Sequence, residues 1–393
     1  MNSYEGVVIA NPASVPYVRH TKLGASWFIG AVFKSLLDQS GLKKEEVDGI
    51  AMSSFSLTPD SAISLTQHFR VSPRWIDQIN LGGASGLVAL RRAARAVQAG
   101  DAEVIACLSG DTASKTSFLS TAANFSSWTI DAAFPYGAAG PNAVFSLITQ
   151  NYMECYGAKR EDFARICLDQ RYNSTHCHRA LLGGAELTME DYLNARHIAG
   201  PLHLFDCVMP CAGGEGFLVM TESRAKALPV RYARIMAADE LHNAHKDDPI
   251  QFRGGWTEYA QQLYDMAGVD PSEIDCVQTY DDYPVISMIQ MEDLLLCHKG
   301  DAPRFVQDTD MRFDGSGKAK KKLPHNTSGG QLSCGQAGTA AGYLGVTEAL
   351  RQVTNTAGRN QVTGARTCLI SGYGMVNYDR GLCSAAAILA SGN

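Results

Sequence analysis

The stretch Ile79–Gly100, INLGGASGLVALRRAARAVQAG, sets a pair of glycines directly ahead of an apolar-periodic helix that Gly100 closes. Small residues there let the backbone approach a ligand, and the helix start offers free N–H groups and the positive end of a dipole. Such a place suits a nucleophile of lowered pKa, above all a cysteine thiolate. The chain puts Gly83 there, and glycine has no side chain to attack with. Other groups of reactive residue types carry less. THCHR, with His176 and His178, has metal-like residues but no second ligand pair at suitable spacing, so no metal is expected. Cys207 and Cys211 have no partner pair and read as buried thiols. Asp281 and Asp282 stand before Tyr283 and Pro284 on an expected strand-to-helix turn. Asp282 can orient a catalytic group there, or one of the pair can cap the helix, with Pro284 suited to the first helical turn. His325, beside Asn326, reads as a surface loop histidine, and Lys318 with Lys320–Lys322 as a solvated loop.

The surrounding pattern says what must position these residues. VVIANPASV reads as a strand and turn, and GASWFIGAVFKSLLDQSGL has helical spacing that Gly41 ends. A strand follows through Val47, Ile50 and Met52, and after the Gly82–Gly100 helix AEVIACLSGD reads as a buried strand. This β-α-β-α-β rhythm predicts a layered α/β fold. The same order recurs. LLDQSGLKKEEVDGIAMSSF is echoed by LYDMAGVDPSEIDCVQTYDD, with Gly268 matching Gly41 and Asp275 matching Asp48. GGASGLVALRRAARAVQAGDAEVIACLSGD is echoed by GGQLSCGQAGTAAGYLGVTEALRQV followed by ARTCLISGYG. Two copies of one supersecondary unit are therefore expected. They divide into 1–245, carrying an excursion loop domain over about 112–205, and 246–393. The excursion takes in NFSSWTIDAAFPYGAAGP and a helical stretch from Gln150 to Asn173; GGEGFLVMTES returns to the core as a strand.

The chain of 393 residues is 45% apolar and 19% charged, as a well-cored globular protein is. A net charge of −6 gives no pull toward nucleic acid. No apolar run reaches the roughly 18–20 residues of a membrane span. MNSYEGVVIANPASVPYV lacks the basic and apolar regions of a signal peptide. The eleven cysteines are scattered, mostly in apolar segments, so a cytoplasmic protein with reduced thiols is expected.

Together these stretches resemble the thiolase superfamily over nearly the whole chain, most closely its lipid-transfer-protein, or sterol-carrier-protein-type, branch. NTSGGQLSCGQAG is similar to the family's Asn-x-x-Gly-Gly…Gly-His-Pro-x-Gly block, and TYDDYPV stands where that branch carries His-Asp-Cys-Phe. NLGGASGLVAL resembles the nucleophile block and SGYGMVNYDRG the closing glycine-rich loop. The resemblance implies a five-layered αβαβα fold of two duplicated halves plus the excursion loop domain. It implies a homodimer with Gly82–Ser85 and VIACLSGD near the interface. A small partner with a zinc ribbon and an OB-like barrel often accompanies this branch. It also puts Gly83 at the nucleophile, Gln336 at the activating histidine, Tyr280 at the other histidine and Ser371 or Gly372 near the second cysteine. With none of those groups present, acyl transfer through a covalent cysteine is not expected.

The branch further resembles aldolases that shorten CoA-activated side chains, steroids among them, in which tyrosines replace the catalytic residues. The function implied is retro-aldol cleavage of a β-hydroxyacyl-CoA carrying a lipid, steroid or aromatic side chain. Such a reaction needs a base for the β-hydroxyl proton and donors for the thioester oxygen as enolate charge develops, and no nucleophile. The implied catalytic residues are Tyr280, Gln336 and Asn326, with Gly83, Ser85, Asp282, Gly330, Cys334 and Gly374 around the thioester and CoA. The steroid aldolases carry a second tyrosine near Gln336 that this chain lacks, and Tyr343 reads as core. No covalently bound cofactor is expected; coenzyme A enters as part of the substrate. Two alternatives stay open: an acyl-CoA- or lipid-binding protein without catalysis, and an acyltransferase (thiolase) using Cys334.

Overall fold

Side-chain alternation along the strands sorts the core into layers. In the computed structural model, which describes residues 3–112, 126–138 and 140–392, Val8 and Ala10 of β1 (Val7–Val18) pack on α1 (Ala25–Ser40). Val104, Ala106 and Leu108 of β4 (Val104–Asp111) join them. The opposite face of the same strands presents Ile9, Ile105 and Cys107 to a second cluster, built around α2 (Ser85–Ala99) and α7 (Ala341–Val353). That cluster also takes Ala385, Ala387 and Leu389 of β9 (Arg380–Ser391), while Ala386 and Ile388 face α5 (Trp256–Ala267) and α6 (Pro284–Asp293). The sequence of layers is helix, one half of the main sheet, helix pair, the other half of the sheet, helix: a thiolase-like α/β arrangement.

The remaining strands of the main sheet are β2 (Gly49–Ser53), β3 (Trp75–Gln78), β5 (Ala212–Thr221), β6 (Tyr232–His242), β7 (Cys276–Gln278) and β8 (Thr367–Asn377). Their spatial order is β3-β2-β4-β5-β1-β6-β9-β8-β7. The order reads alike outward from the central β1–β6 pair, with β2 answering β7, β4 answering β8 and β5 answering β9. The bridge His325–Val277, parallel to β7, stands where β3 stands beside β2.

The paired aspartates expected from the repeat do the same work in each copy. Asp48 accepts the amides of Glu103 and Val104 (3.0 and 2.8 Å), where β4 begins. Asp275 accepts those of Arg366 and Thr367 (both 2.8 Å), where β8 begins. The two central helices touch through glycines. A Cβ on Gly86 would lie 2.4 Å from the Gly342 carbonyl, and one on Gly342 would lie 2.8 Å from the Gly82 and Gly83 carbonyls. Side chains there would force the helix pair apart.

Some local expectations change. The turn expected in VVIANPASV is a bulge inside β1: Asn11 has φ +58° and the register shifts between Ala10 and Ala13, because Pro12 has no N–H for the ladder. The stretch Gln150–Asn173 is two helices, α3 (Pro141–Tyr156) and α4 (Arg160–Thr175), divided at Gly157 with φ +68°. Of the expected excursion, 113–125 and 139, and with them part of NFSSWTIDAAFPYGAAGP, lie outside the described residues.

Candidate active site

A cavity opens where four loops and strand ends meet: Gly82–Gly83 ahead of α2, Tyr280–Tyr283 after β7, Gln336 ahead of α7, and Gly374 in β8. Both halves of the sheet thus contribute. The 280–283 segment is tied to α6, since Gln290 accepts the Tyr280 amide (3.1 Å) and donates to its carbonyl (2.7 Å). Gln336 is fixed by backbone bonds to the 209–211 segment: its amide donates to Met209 O (2.8 Å) and its carbonyl accepts from Cys211 (3.0 Å).

Gly83 explains itself here. A Cβ built on it would lie 2.0 Å from Cε2 and 2.1 Å from Cζ of Tyr280. The tyrosine ring therefore occupies the space that a side chain at 83 would need. An aromatic side chain from the second half fills the mouth of the glycine loop, and no cysteine is among the described residues lining the cavity.

The ring ends in a polar corner. Gln336 Nε2 donates both to the Tyr280 hydroxyl (3.4 Å) and to Asp282 Oδ1, so the two groups meet on one amide. Burial, reinforced by the Asp282 charge, holds the Tyr280 hydroxyl well above its ordinary range, so it is protonated at rest. Burial likewise pushes Asp282 up to about 7, against the nearby Tyr280 hydroxyl, while the Asp281 charge adds to the rise. A carboxyl that changes protonation near neutrality, sharing the Gln336 amide with a tyrosine hydroxyl, is equipped to move a proton. The opposite wall is apolar and aromatic. Tyr283 stacks on Phe145 at 4.0 Å, and Val144, Phe134, Tyr373 and Met375 extend the surface.

Of the residues expected in the site, the structure gathers Tyr280, Gln336, Asp282, Gly83 and Gly374 around this cavity. The others do not line it. Asn326 lies behind the corner, its Oδ1 taken by the Thr279 amide (2.9 Å) and its Nδ2 buried without a partner. Ser85 is fully buried and its hydroxyl accepts the Leu81 amide (2.9 Å), which spends it on the loop's own geometry. Gly330, at φ +59°, packs against the Asp281 carboxylate. Cys334 is buried with Tyr17, Cys211 and Leu344, donates to Ser328 O (3.1 Å), and does not line the cavity. The neighbouring Cys177 thiol, together with burial, raises its thiol well above the ordinary value, the opposite of what a nucleophile needs.

Neither aspartate caps α6, whose N-cap residue is Tyr283. Asp281 instead accepts the amides of Gln331 and Leu332 (3.0 and 3.2 Å), pinning the segment that leads to Gln336. His325 is not on the surface. It is buried, bonded to Thr279 Oγ1 (2.7 Å), and burial pushes its pKa down to about 3. Tyr343 is core, as expected. Asp111, at the end of β4, was not singled out in the sequence. It accepts from Ser54 Oγ, the Phe55 and Ser56 amides and the Thr339 amide, so it ties two cavity loops together. A lone aspartate closing an apolar strand was the available signal.

Residues 237–387 match the family described as Thiolase C-terminal domain-like. The chain is 29% identical over 341 residues to a steroid side-chain-cleaving aldolase of Thermomonospora curvata, covering 83% of this chain and 84% of that one. It is 29% identical over 357 residues to the 17-hydroxy-3-oxo-4-pregnene-20-carboxyl-CoA lyase of Mycobacterium tuberculosis, covering 87% and 89%. Among solved structures, the Ltp2-ChsH2(DUF35) aldolase superposes with a TM-score of 0.82 at 25% identity over 98% of each chain.

Proposed function

We propose, from the premise that this chain is a thiolase-superfamily protein of the sterol-carrier-protein-like branch, that it is a C–C lyase cleaving a β-hydroxyacyl-CoA by a retro-aldol reaction. The observation that carries this reading is the Tyr280 ring standing where a side chain at 83 would be, its hydroxyl linked through Gln336 to the buried carboxyl of Asp282. Tyr280 takes the β-hydroxyl proton as its own proton passes to Asp282. The bond between the α- and β-carbons then breaks, leaving a carbonyl on one fragment and enolate charge on the thioester of the other. Backbone N–H groups near Gly83 and Gly374 hold that oxygen. The proton kept by Tyr280 and Asp282 is returned to the α-carbon, so the products are a ketone or aldehyde and a shortened acyl-CoA. Gln336 positions the two proton carriers against each other.

The aromatic wall suits a lipid, steroid or aromatic side chain rather than a short polar one. The strand order favours a division into halves between β5 and β6 over one at 245/246. A homodimer forms through the open edge at β3, whose Ile76 is exposed, and a DUF35-type zinc-ribbon/OB partner attends the site, as the aldolase neighbour's name suggests. No described helix is long and apolar enough to cross a membrane; we place the protein in the cytoplasm.

The test is incubation of the protein, with and without a DUF35-type partner, with a panel of β-hydroxyacyl-CoAs that differ in side chain. The reading expects a carbonyl compound and a shortened acyl-CoA in equal amounts from a bulky apolar member. Acyl-CoA binding with no cleavage of any member would make it a binding protein instead.

A further inference from the structure

We propose that a second cavity, which shares no lining residue with the first, is a site for a phosphate-bearing anion. Its described lining includes Arg179, Arg231, Arg351 and Arg359, with His176 and His178, and no aspartate or glutamate. Arg351 is buried and Arg179 half-buried, while Arg231 and Arg359 are exposed.

The two inner arginines are not equally provided for. Arg179 pairs with Glu348, Nη2 to Oε2 at 2.8 Å. Arg351 has no carboxylate within ion-pair distance among the described residues. Its Nη2 donates to Ser14 Oγ at 2.7 Å, and its Nη1 is buried with no partner. The nearby acid, Glu215, is reached only through that serine, whose hydroxyl donates to it and also accepts from Arg179 at 3.3 Å. Burial, with the Arg179 charge beside it, pushes the Arg351 pKa down to about 10, so the cation is held at a cost.

A buried guanidinium without a carboxylate partner is expensive unless an anion stands near it. Nη1 has no open surface toward the cavity, so an anion there is met by the exposed Arg231 and Arg359, with the Arg351 charge behind them. Arg231 is already steered by its bond to Thr354 O (3.0 Å). Several guanidinium forks around one opening match the oxygens of a phosphate group better than a single carboxylate, which two forks saturate. The phosphate can be free or can belong to a nucleotide, so the test uses both.

Titration calorimetry of the full chain with sodium pyrophosphate and with adenosine 3′,5′-bisphosphate separates the sources. Saturable binding that weakens with added salt is expected for at least one. Preference for the bisphosphate identifies a nucleotide phosphate, and equal or better pyrophosphate binding a free one. Arg351→Gln should weaken binding severalfold by removing the charge that lies behind the cavity wall. Arg359→Glu, at an exposed position, should weaken it in the same direction even where Arg351→Gln disturbs folding. Absence of binding by both anions, or affinities unchanged in Arg359→Glu, would overturn the proposal.

Discussion

At the scale of single residues, the site turns on an exchange between Gly83 and Tyr280. The glycine makes room for the ring, and the ring leaves no room for a thiol. Gly83→Cys is therefore expected to displace Tyr280 rather than restore thiolysis. Its unfolding free energy should fall by roughly 1–3 kcal/mol, the range for overpacking, and acetoacetyl-CoA with free CoA should give no acetyl-CoA above background. Rapid thiolysis by Gly83→Cys would show that the loss of the cysteine alone separates this site from a thiolase. Asp282 makes a second prediction. Its folded pKa, about 7, lies above the unfolded carboxylate value, and only its deprotonated form accepts a proton. Turnover should rise about tenfold per pH unit below pH 7 and level off above it. The stability sign is opposite. The native state binds the extra proton between about pH 4 and 7, so this group's contribution to stability is fully present below that window and is lost as pH rises through it. Asp282→Asn should abolish the acid limb of turnover and raise the unfolding midpoint more at pH 8 than at pH 5. A limb that persists in Asp282→Asn assigns it to another group.

At the scale of elements, the duplicated aspartates offer a check on how each sheet half is assembled. Asp48→Ala and Asp275→Ala each strip two backbone amides of their acceptor, at strand starts in separate halves. Each should cost about 1–3 kcal/mol in denaturant unfolding, and the two costs should add in the double variant because the sites share no partner. Marked non-additivity would mean the halves do not fold around independent pins. Much of this scaffold was legible in the sequence: α1 with its Gly41 stop, α2 with Gly100, the buried run of β4, and the match of Asp48 with Asp275. Periodicity and helix-ending glycines are local signals and survive tertiary packing. What was not legible depended on contact between distant segments. Ser85 and Cys334 sit in recognisable blocks, yet only packing decides that their side chains turn away from the cavity. Asp281 was read as a local cap, whereas it caps a segment about fifty residues later in the chain. His325 looked exposed beside a polar loop and is buried, because the bridge to β7 draws it under the sheet edge. The strands β6 and β9 went unread; β9 runs buried on both faces and so shows no alternation to find.

At the scale of the whole molecule, the pseudo-twofold order of the sheet brings a glycine loop from one half and a tyrosine from the other into one corner. Neither half holds the site alone. On the proposed reading the fold supplies an acyl-CoA scaffold on which Tyr280 and Asp282 pass a proton in place of attack by a thiol. The most direct measurement is turnover by Tyr280→Phe of whichever β-hydroxyacyl-CoA the wild type cleaves, with acyl-CoA affinity measured alongside. The ring and its packing against Gly83 are kept, and only the hydroxyl that Gln336 links to Asp282 is removed. Turnover should fall by roughly 10²-fold or more, the scale of a lost acid/base group, while affinity and folding stay close to the wild type. Unchanged turnover in Tyr280→Phe would contradict the account.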